Sequence, residues 1–153
     1  DYCGRRLSGV TNGISGINSD DSSITVGALR SSGNEAQRYS SHGYGTCHDE
    51  NPKPDVSAPI PQILPYGCST RDMTSGIGGS SGGTSTASPI TAGVATLIAS
   101  VTGTAEQDVI EGALEETAEL PRPTQINLIG NNDARFGNGM INAQAALESV
   151  TDN

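Results

Sequence analysis

The stretch that decides the fold is Gly82-Gly83-Thr84-Ser85-Thr86-Ala87-Ser88-Pro89. Here a loop rich in glycine and serine runs into a largely apolar segment that ends near Ser100. Pro89 cannot give an N–H to a helix and disturbs the preceding turn, so the helix must begin close to Ser85. The first turn of a helix carries free N–H groups and the positive end of the helix dipole. A serine there is either a helix cap, or a nucleophile whose developing oxyanion those groups stabilise.

Three helices are predicted from this point to the C-terminus, and two of them are defined by their apolar faces. The first covers about 85–100, and its apolar residues lie around most of its circumference: Val94, Ala95, Leu97, Ile98 and Val101. Such a helix is expected to be buried. The third is short, has Asn142 as its cap, and aligns its apolar residues on one face: Ala143, Ala146, Leu147 and Val150.

The second helix is predicted over about 104–118. Thr104 and Gln107 have the spacing of a capping box, in which each side chain satisfies a backbone N–H of the first turn. Its glutamates lie mostly opposite its apolar residues. This pattern predicts an amphipathic helix with one face on the core.

Short extended segments precede the helices. A β-branched run at 24–29, bounded by serines, predicts a buried strand. Prolines confine the next extended segments to 54–59 and 60–66. The stretch 67–83 is a loop rich in glycine and serine. The order and composition predict a loop-rich α/β protein, or part of one.

Length and charge exclude several classes of function. The 153 residues form one domain by the usual size of domains. The net charge of −9, from 17 acidic and 8 basic residues, disfavours binding to nucleic acid or to an anionic membrane surface. The longest apolar stretch, 89–101, is shorter than the roughly 20 residues that a membrane-spanning helix needs. We therefore expect neither a nucleic-acid partner nor a membrane partner.

The three cysteines leave two alternatives open. Cys3, Cys47 and Cys68 contain no C-x-x-C pair, and neither His42 nor His48 completes a zinc spacing, so we expect no metal cluster. A Cys47–Cys68 bridge would contribute about 3 kcal/mol by closing its loop. Three free thiols fit the sequence equally, and alkylation without reductant distinguishes the two.

The stretch 83–89 resembles the Gly-Thr-Ser-x-Ala-x-Pro signature around the nucleophile of subtilisin-like serine peptidases. Four further segments resemble elements of that family in the same order, so that the likeness covers 24–147. They are Ile24-Thr25-Val26-Gly27-Ala28, Tyr39-Ser40-Ser41-His42-Gly43, Lys53-Pro54-Asp55-Val56-Ser57-Ala58-Pro59, and Phe136-Gly137-Asn138-Gly139-Met140-Ile141-Asn142-Ala143.

The resemblance implies a fold and an activity. The fold would be α/β, the C-terminal half of a three-layer α/β/α subtilisin-like domain with a mostly parallel sheet, over residues 1–153. The activity would be that of a serine endopeptidase acting on peptides or proteins through an acyl-enzyme. Ser85 would be the nucleophile and its N–H would bind the oxyanion, with Gly83 and Thr84 completing the nucleophile loop. An extracellular location is also implied.

The sequence departs from the family in what it lacks. The catalytic Asp and His of the family, and the Asn of its oxyanion hole, belong to segments that precede residue 1. His42, His48, Asp55 and Asp72 are interpreted as loop or strand-start residues rather than as substitutes. Without a base the serine hydroxyl is a weak nucleophile. We therefore expect the chain to be inactive alone and to need the missing N-terminal half, and we expect an isolated half to expose apolar surface.

Two further expectations concern other functions and metals. The alternative to a peptidase is a non-catalytic binding or assembly module that retains the fold. No cofactor is expected for the chemistry. Calcium often stabilises the family, but the oxygen-rich segments Asp20-Asp21 and Asn131-Asn132-Asp133 have no recognisable ligand spacing. We therefore expect no metal at the catalytic site, and a structural calcium ion remains without a located site.

Overall fold

The structure is a computed structural model that describes residues 13–14, 16–44, 52–60, 83–121, 128–129, 132–133 and 135–151. Its strands are β1 (Val26–Leu29), β2 (Gly43–Tyr44), β3 (Pro52–Lys53), β4 (Val56–Pro59), β5 (Leu128–Ile129) and β6 (Asn132–Asp133). Its α-helices are α1 (Thr84–Thr102), α2 (Gln107–Glu116) and α3 (Ala143–Thr151), and a 3₁₀ helix covers Gly16–Ser19.

The centre of the fold is a parallel pair of strands. β1 and β4 pair with Val26 opposite Val56 and Ala28 opposite Ala58, so these four side chains share one face because alternate residues of a strand point the same way. Backbone hydrogen bonds from Ser57 to Gly139 O and from Ile141 to Ser57 O extend the pairing by one chain segment. The expected α/β fold with a parallel sheet is confirmed.

The helix α1 packs on this face of the strand pair, and only one side of the helix is buried. Its buried residues are Ala87, Thr91, Val94 and Ile98, spaced as one face of a helix requires. The other side leaves Leu97 51% and Val101 52% exposed, with Ile90 beside them. The prediction of a helix buried all round is therefore wrong for this chain, because the sheet, α2 and α3 cover one side. The expectation that the chain exposes apolar surface agrees with this arrangement.

The helices α2 and α3 complete the core against α1. One core cluster contains Val56 of β4 together with Val94 and Ile98 of α1. The other buried members of this cluster come from α2 and α3: Ala113, Leu114 and Ala146. All four predicted face residues of α3 belong to this cluster or pack against it. The predicted cap of α3 is confirmed, because Asn142 Oδ1 accepts the N–H of Ala145 at 3.1 Å.

The predicted capping box of α2 is wrong. The helix begins at Gln107 and its cap residue, Glu106, makes no side-chain capping bond. Thr104 Oγ1 instead accepts the N–H of Glu106 at 3.2 Å, before the helix starts. The Gln107 amide turns away from the helix end and donates to Asp21 O and to Glu111, both at 2.8 Å. A long-range contact thus replaces the local pairing that the spacing favoured.

Several predictions fall outside the described residues. These are the extended segment beyond Ile60, the loop up to Gly82, His48, Asp72, Asn131 and the three cysteines. Among the residues that are described, no single helix is long and apolar enough to cross a bilayer, and α1 with α2 would meet that test only together, across a bend of 116°.

Candidate active site at the head of α1

The predicted nucleophile loop forms the head of α1. Gly83 is the cap residue and makes no side-chain capping bond, and the helix begins at Thr84. Ser85 is therefore inside the first turn, and its side chain is exposed. The sequence left open whether this serine caps the helix, and the structure assigns that place to Gly83.

The backbone N–H groups at the head of α1 need partners from outside the helix. The first N–H groups of a helix have no partner inside it. Thr86 meets this need locally, since its N–H donates to Gly83 O at 3.0 Å. The described hydrogen bonds include none from the N–H of Ser85. Within the described part of the chain this donor therefore has no assigned acceptor, and it lies beside the Ser85 hydroxyl, where the helix dipole favours negative charge.

An open cavity of about 200 Å³ adjoins this helix end. Thr84 forms part of its wall, and the other lining residues come from the N-terminal segment, β1 and the segment before β2: Gly13, Ile14, Asn18, Thr25, Val26, Tyr39 and Ser41. The Tyr39 ring also covers Gly83, because a Cβ at position 83 would lie 3.7 Å from Cε2 of the ring. Sequence reasoning did not identify Tyr39 or Asn18 as residues of this site.

The segment that carries Tyr39 is held against β1 by hydrogen bonds. The Ala28 N–H donates to Ser40 Oγ at 2.9 Å, and the Gln37 N–H donates to Ala28 O at 2.8 Å. Ser40 is buried, so its hydroxyl adds a side-chain hydrogen bond to the backbone bonds that hold this loop on the edge of β1. The first serine of the Tyr-Ser-Ser-x-Gly element thereby positions the tyrosine beside the head of α1.

The described wall of the cavity contains no histidine and no carboxylate. Asp55, which the sequence offers as a formal partner for a serine, lies in the interior instead. Its two oxygens are 2.8 and 2.9 Å from Lys53 Nζ, and one of them accepts the N–H of Thr25 at 2.6 Å. Asp55 directly precedes β4, in agreement with its interpretation as a strand-start residue, and the described wall of the cavity contains no base.

Comparison with known families agrees with this arrangement. A sequence profile of the subtilase family matches residues 10–139. The chain belongs to the subtilase family. A search of curated protein sequences finds no match.

Solved subtilase structures share the fold. The prenylagaramide maturation protease PagA is 25% identical, with a TM-score of 0.60 over 88% of this chain and 44% of its own. A protease from Pseudoalteromonas arctica PAMC 21717 is 26% identical, with a TM-score of 0.55 over 86% and 37%. The CspB protease of Clostridium perfringens, at 20% identity and a TM-score of 0.59 over 85% and 27%, shows the fold alone. This chain thus spans less than half the length of these subtilase structures.

Two of the subtilase elements pack directly on one another. Gly137 has a φ of 67°, and a Cβ there would collide with the carbonyl groups of Pro54 and Asp55. The Asn138 N–H donates to Asp55 O at 2.8 Å. The glycine is required because two backbones meet at this point. These elements build the support of the sheet rather than the cavity.

Two acidic groups in the described part of the chain have their oxygens engaged by other partners. Asp55, Glu111 and Glu115 each place an oxygen within 4.8 Å of the others, but Lys53 already sits on both oxygens of Asp55. Calcium takes six to eight oxygen ligands, and the ammonium group occupies the place of a cation. In the second group, Asp20 Oδ1 accepts the N–H of Ser22 at 2.9 Å. Neither group is therefore assigned to a metal.

Proposed function

We propose that this subtilase chain is the nucleophile-bearing part of a serine endopeptidase, with Ser85 as the nucleophile. The Ser85 oxygen forms a bond to the carbonyl carbon of the scissile peptide, and its proton passes to a base. The N–H of Ser85 and the dipole of α1 stabilise the resulting oxyanion. The C–N bond then breaks, the amine leaves with a proton, and water hydrolyses the acyl-enzyme.

One observation carries this proposal. The Ser85 side chain is exposed at the head of α1, it is not the helix cap, and Thr84 beside it lines an open cavity. A serine that only served the fold would be expected to cap the helix or to pack inside. Gly83 supports the same role, since its lack of a side chain lets a substrate backbone approach the helix end.

The base is proposed to come from a preceding half of the domain, in the same polypeptide or as a second chain. The described cavity wall offers no histidine and no carboxylate, and the chain spans 44% of the length of PagA. The exposed apolar side of α1, formed by Ile90, Leu97 and Val101, is the surface that this half would cover. Burying it removes apolar area from water, which favours association.

Fluorophosphonate labelling tests the nucleophile. In the protein with its preceding half, we expect stoichiometric labelling at Ser85 and loss of the label in Ser85→Ala. Ser88→Ala is the matched control, because Ser88 is exposed on the same helix one turn along, and it should label like the wild type. Absence of label at Ser85 in a folded, complete protein would contradict the peptidase and favour the binding module.

Association with the preceding half tests the surface on α1. Leu97→Glu should weaken the complex at least tenfold in a sedimentation or titration experiment, because it puts a charge in an apolar interface. Gln144→Glu introduces the same charge at an exposed position of α3 and should leave the affinity unchanged. Equal affinities for both variants would exclude this side of α1 as the contact surface.

A further inference from the structure

The corner between β3 and β4 contains an ion pair that is taken out of water. Lys53 and Asp55 are only 2% and 6% exposed. The Lys53 Nζ donates to both oxygens of Asp55 and to Ser23 O, the last at 3.2 Å. The Thr25 N–H completes the shell of Asp55. One positive and one negative charge are thus matched and held by hydrogen bonds, as a buried pair requires.

The helix α2 brings two more carboxyl groups to this pair. Glu111 and Glu115 are one turn apart and partly buried, and each has an oxygen within 4.8 Å of the others and of an oxygen of Asp55. Glu106 and Glu116, by contrast, are exposed. The helix therefore turns two of its three glutamates inward, although the sequence predicted the glutamates of this segment mostly on the outer side.

The charges at this corner do not balance when all three carboxyl groups are ionised. Lys53 is the cation at the corner, and it is engaged by Asp55. The Gln107 amide is uncharged and donates to Glu111 at 2.8 Å, and the uncharged Asn138 amide donates to Asp55 O at 3.1 Å. Like charges at this distance and partial burial disfavour full ionisation. A proton held by the two glutamates of α2 removes the excess charge.

The helices α1 and α3, which pack on α2, add no cation to this corner. The sequence of α1 has no ionisable side chain. The ionisable residue of α3 is Glu148, which is exposed and accepts a hydrogen bond from Gln144. Asp108, on α2 itself, acts on Glu111 and adds negative charge. No compensating cation is found on these helices.

We propose that a proton held by Glu115 and Glu111 fastens α2 to the β3–β4 corner beside the Lys53–Asp55 pair, and that its loss as the pH rises loosens this helix. The device is a pH-sensitive latch on the fold and is independent of the chemistry at Ser85. The helix α2 is connected to the rest of the core by direct packing, since Ala113 and Leu114 lie in one cluster with Val56. A loosened α2 would therefore disturb the packing of α1 and α3.

The electrostatics of the corner point the same way. Burial, and then the charges of Asp55 and Glu111, raise the pKa of Glu115 from its ordinary value of 4.5 to about 7, against the opposing effects of Lys53 and Asn138. Burial also raises the pKa of Glu111. A carboxyl group whose pKa is raised by folding gives stability that is complete below 4.5 and is lost as the pH rises to about 7. Above that pH this group adds no further change.

Glu115→Gln tests the latch, because the amide imitates the protonated carboxyl group at every pH. In the full chain we expect the variant to raise the melting temperature by about 4 °C at pH 8, and by much less at pH 5. Glu116→Gln is the matched control: it removes the same charge from the next residue of α2, where the side chain is exposed. It should shift the melting temperature by less than about 1 °C at both pH values.

The melting temperatures test the latch independently of the labelling at Ser85, because they measure stability alone. Equal shifts for the two variants at pH 8 would show a general effect of net charge and overturn the latch. So would a carbon-13 titration in which all side-chain carboxyl groups of the wild type titrate below pH 5. A third contrary result is a wild type that millimolar calcium stabilises and a Glu115→Gln variant that it does not, because the corner would then hold a metal ion.

Discussion

The head of α1 and the β3–β4 corner beneath α2 differ in the burial of their polar side chains. At the corner, Lys53 and Asp55 are buried, and hydrogen bonds hold both of them. At the head of α1, the Ser85 side chain is exposed and its N–H has no partner among the described hydrogen bonds. Partnered polar groups in the interior hold the fold together. An exposed hydroxyl at a helix start is accessible to a ligand, and the comparison predicts where a mutation affects stability and where it affects function.

Removal of the cation at the corner should have the largest effect on stability. Lys53→Met leaves Asp55 buried without its counter-charge, and we expect the free energy of unfolding to fall by about 3–5 kcal/mol in urea titrations at neutral pH. The matched control is Arg30→Met, which breaks the exposed Arg30–Glu35 pair of 3.0 Å and should lower it by less than about 1 kcal/mol. Similar losses in both variants would remove the distinction between buried and exposed pairs.

A side chain at Gly137 should destabilise the support of the corner next most strongly. In Gly137→Ala a Cβ meets the backbone of Pro54 and Asp55 at a positive φ, and we expect a loss of about 2–3 kcal/mol in thermal unfolding. Gly112→Ala is the control, since a Cβ there meets nothing within 4 Å and a helical alanine should gain up to about 1 kcal/mol. A neutral Gly137→Ala would mean that the two backbones do not meet this closely.

Substitution of Ser57 should have a smaller effect on stability, and this effect should be stabilising. Its hydroxyl is buried without a hydrogen-bond partner in the described part of the chain, and an unsatisfied buried hydroxyl is unfavourable. Ser57→Ala should therefore raise the free energy of unfolding by about 1 kcal/mol. Ser40→Ala is the counterpart, because Ser40 is buried but accepts the Ala28 N–H, and calorimetry should show it to be destabilised. Destabilisation of both variants would show that Ser57 has a partner.

Ser85→Ala should have the smallest effect on stability. The side chain neither caps α1 nor packs inside, so we expect a change of less than about 0.5 kcal/mol in the free energy of unfolding. A loss above about 1 kcal/mol would assign the hydroxyl to the fold and weaken the contrast with the corner. Chemical denaturation of the same protein samples used for labelling makes the comparison direct.

Local patterns predicted the elements well where one residue or one face decides them. The start of α1 followed from Pro89, the cap of α3 from Asn142, and the inner face of α3 from its apolar spacing. The capping box of α2 failed because Gln107 found a partner in Asp21 and one in Glu111. A residue distant in sequence can outcompete a local bond, and spacing along the chain does not reveal it.

The candidate site divides in the same way. The proposed nucleophile loop 83–85 was predicted from its signature, whereas Tyr39 contacts Gly83 from 44 positions earlier in the chain. The acidic corner was missed, although Lys53, Asp55 and the Glu111–Glu115 spacing were visible signals. Their burial depends on how α2 meets the sheet, and periodicity alone placed the glutamates on the outer side.

The sequence by itself determined the family, the order of strands and helices, and the place of Ser85 at a helix start, because glycine, proline and capping residues act on the backbone within a few positions. Only the tertiary structure decided which side of α1 is covered, which loop lies over Gly83, and which glutamates share a corner with Asp55. Those outcomes depend on contacts between distant segments, whose free energies exceed local preferences and are set only when the elements pack.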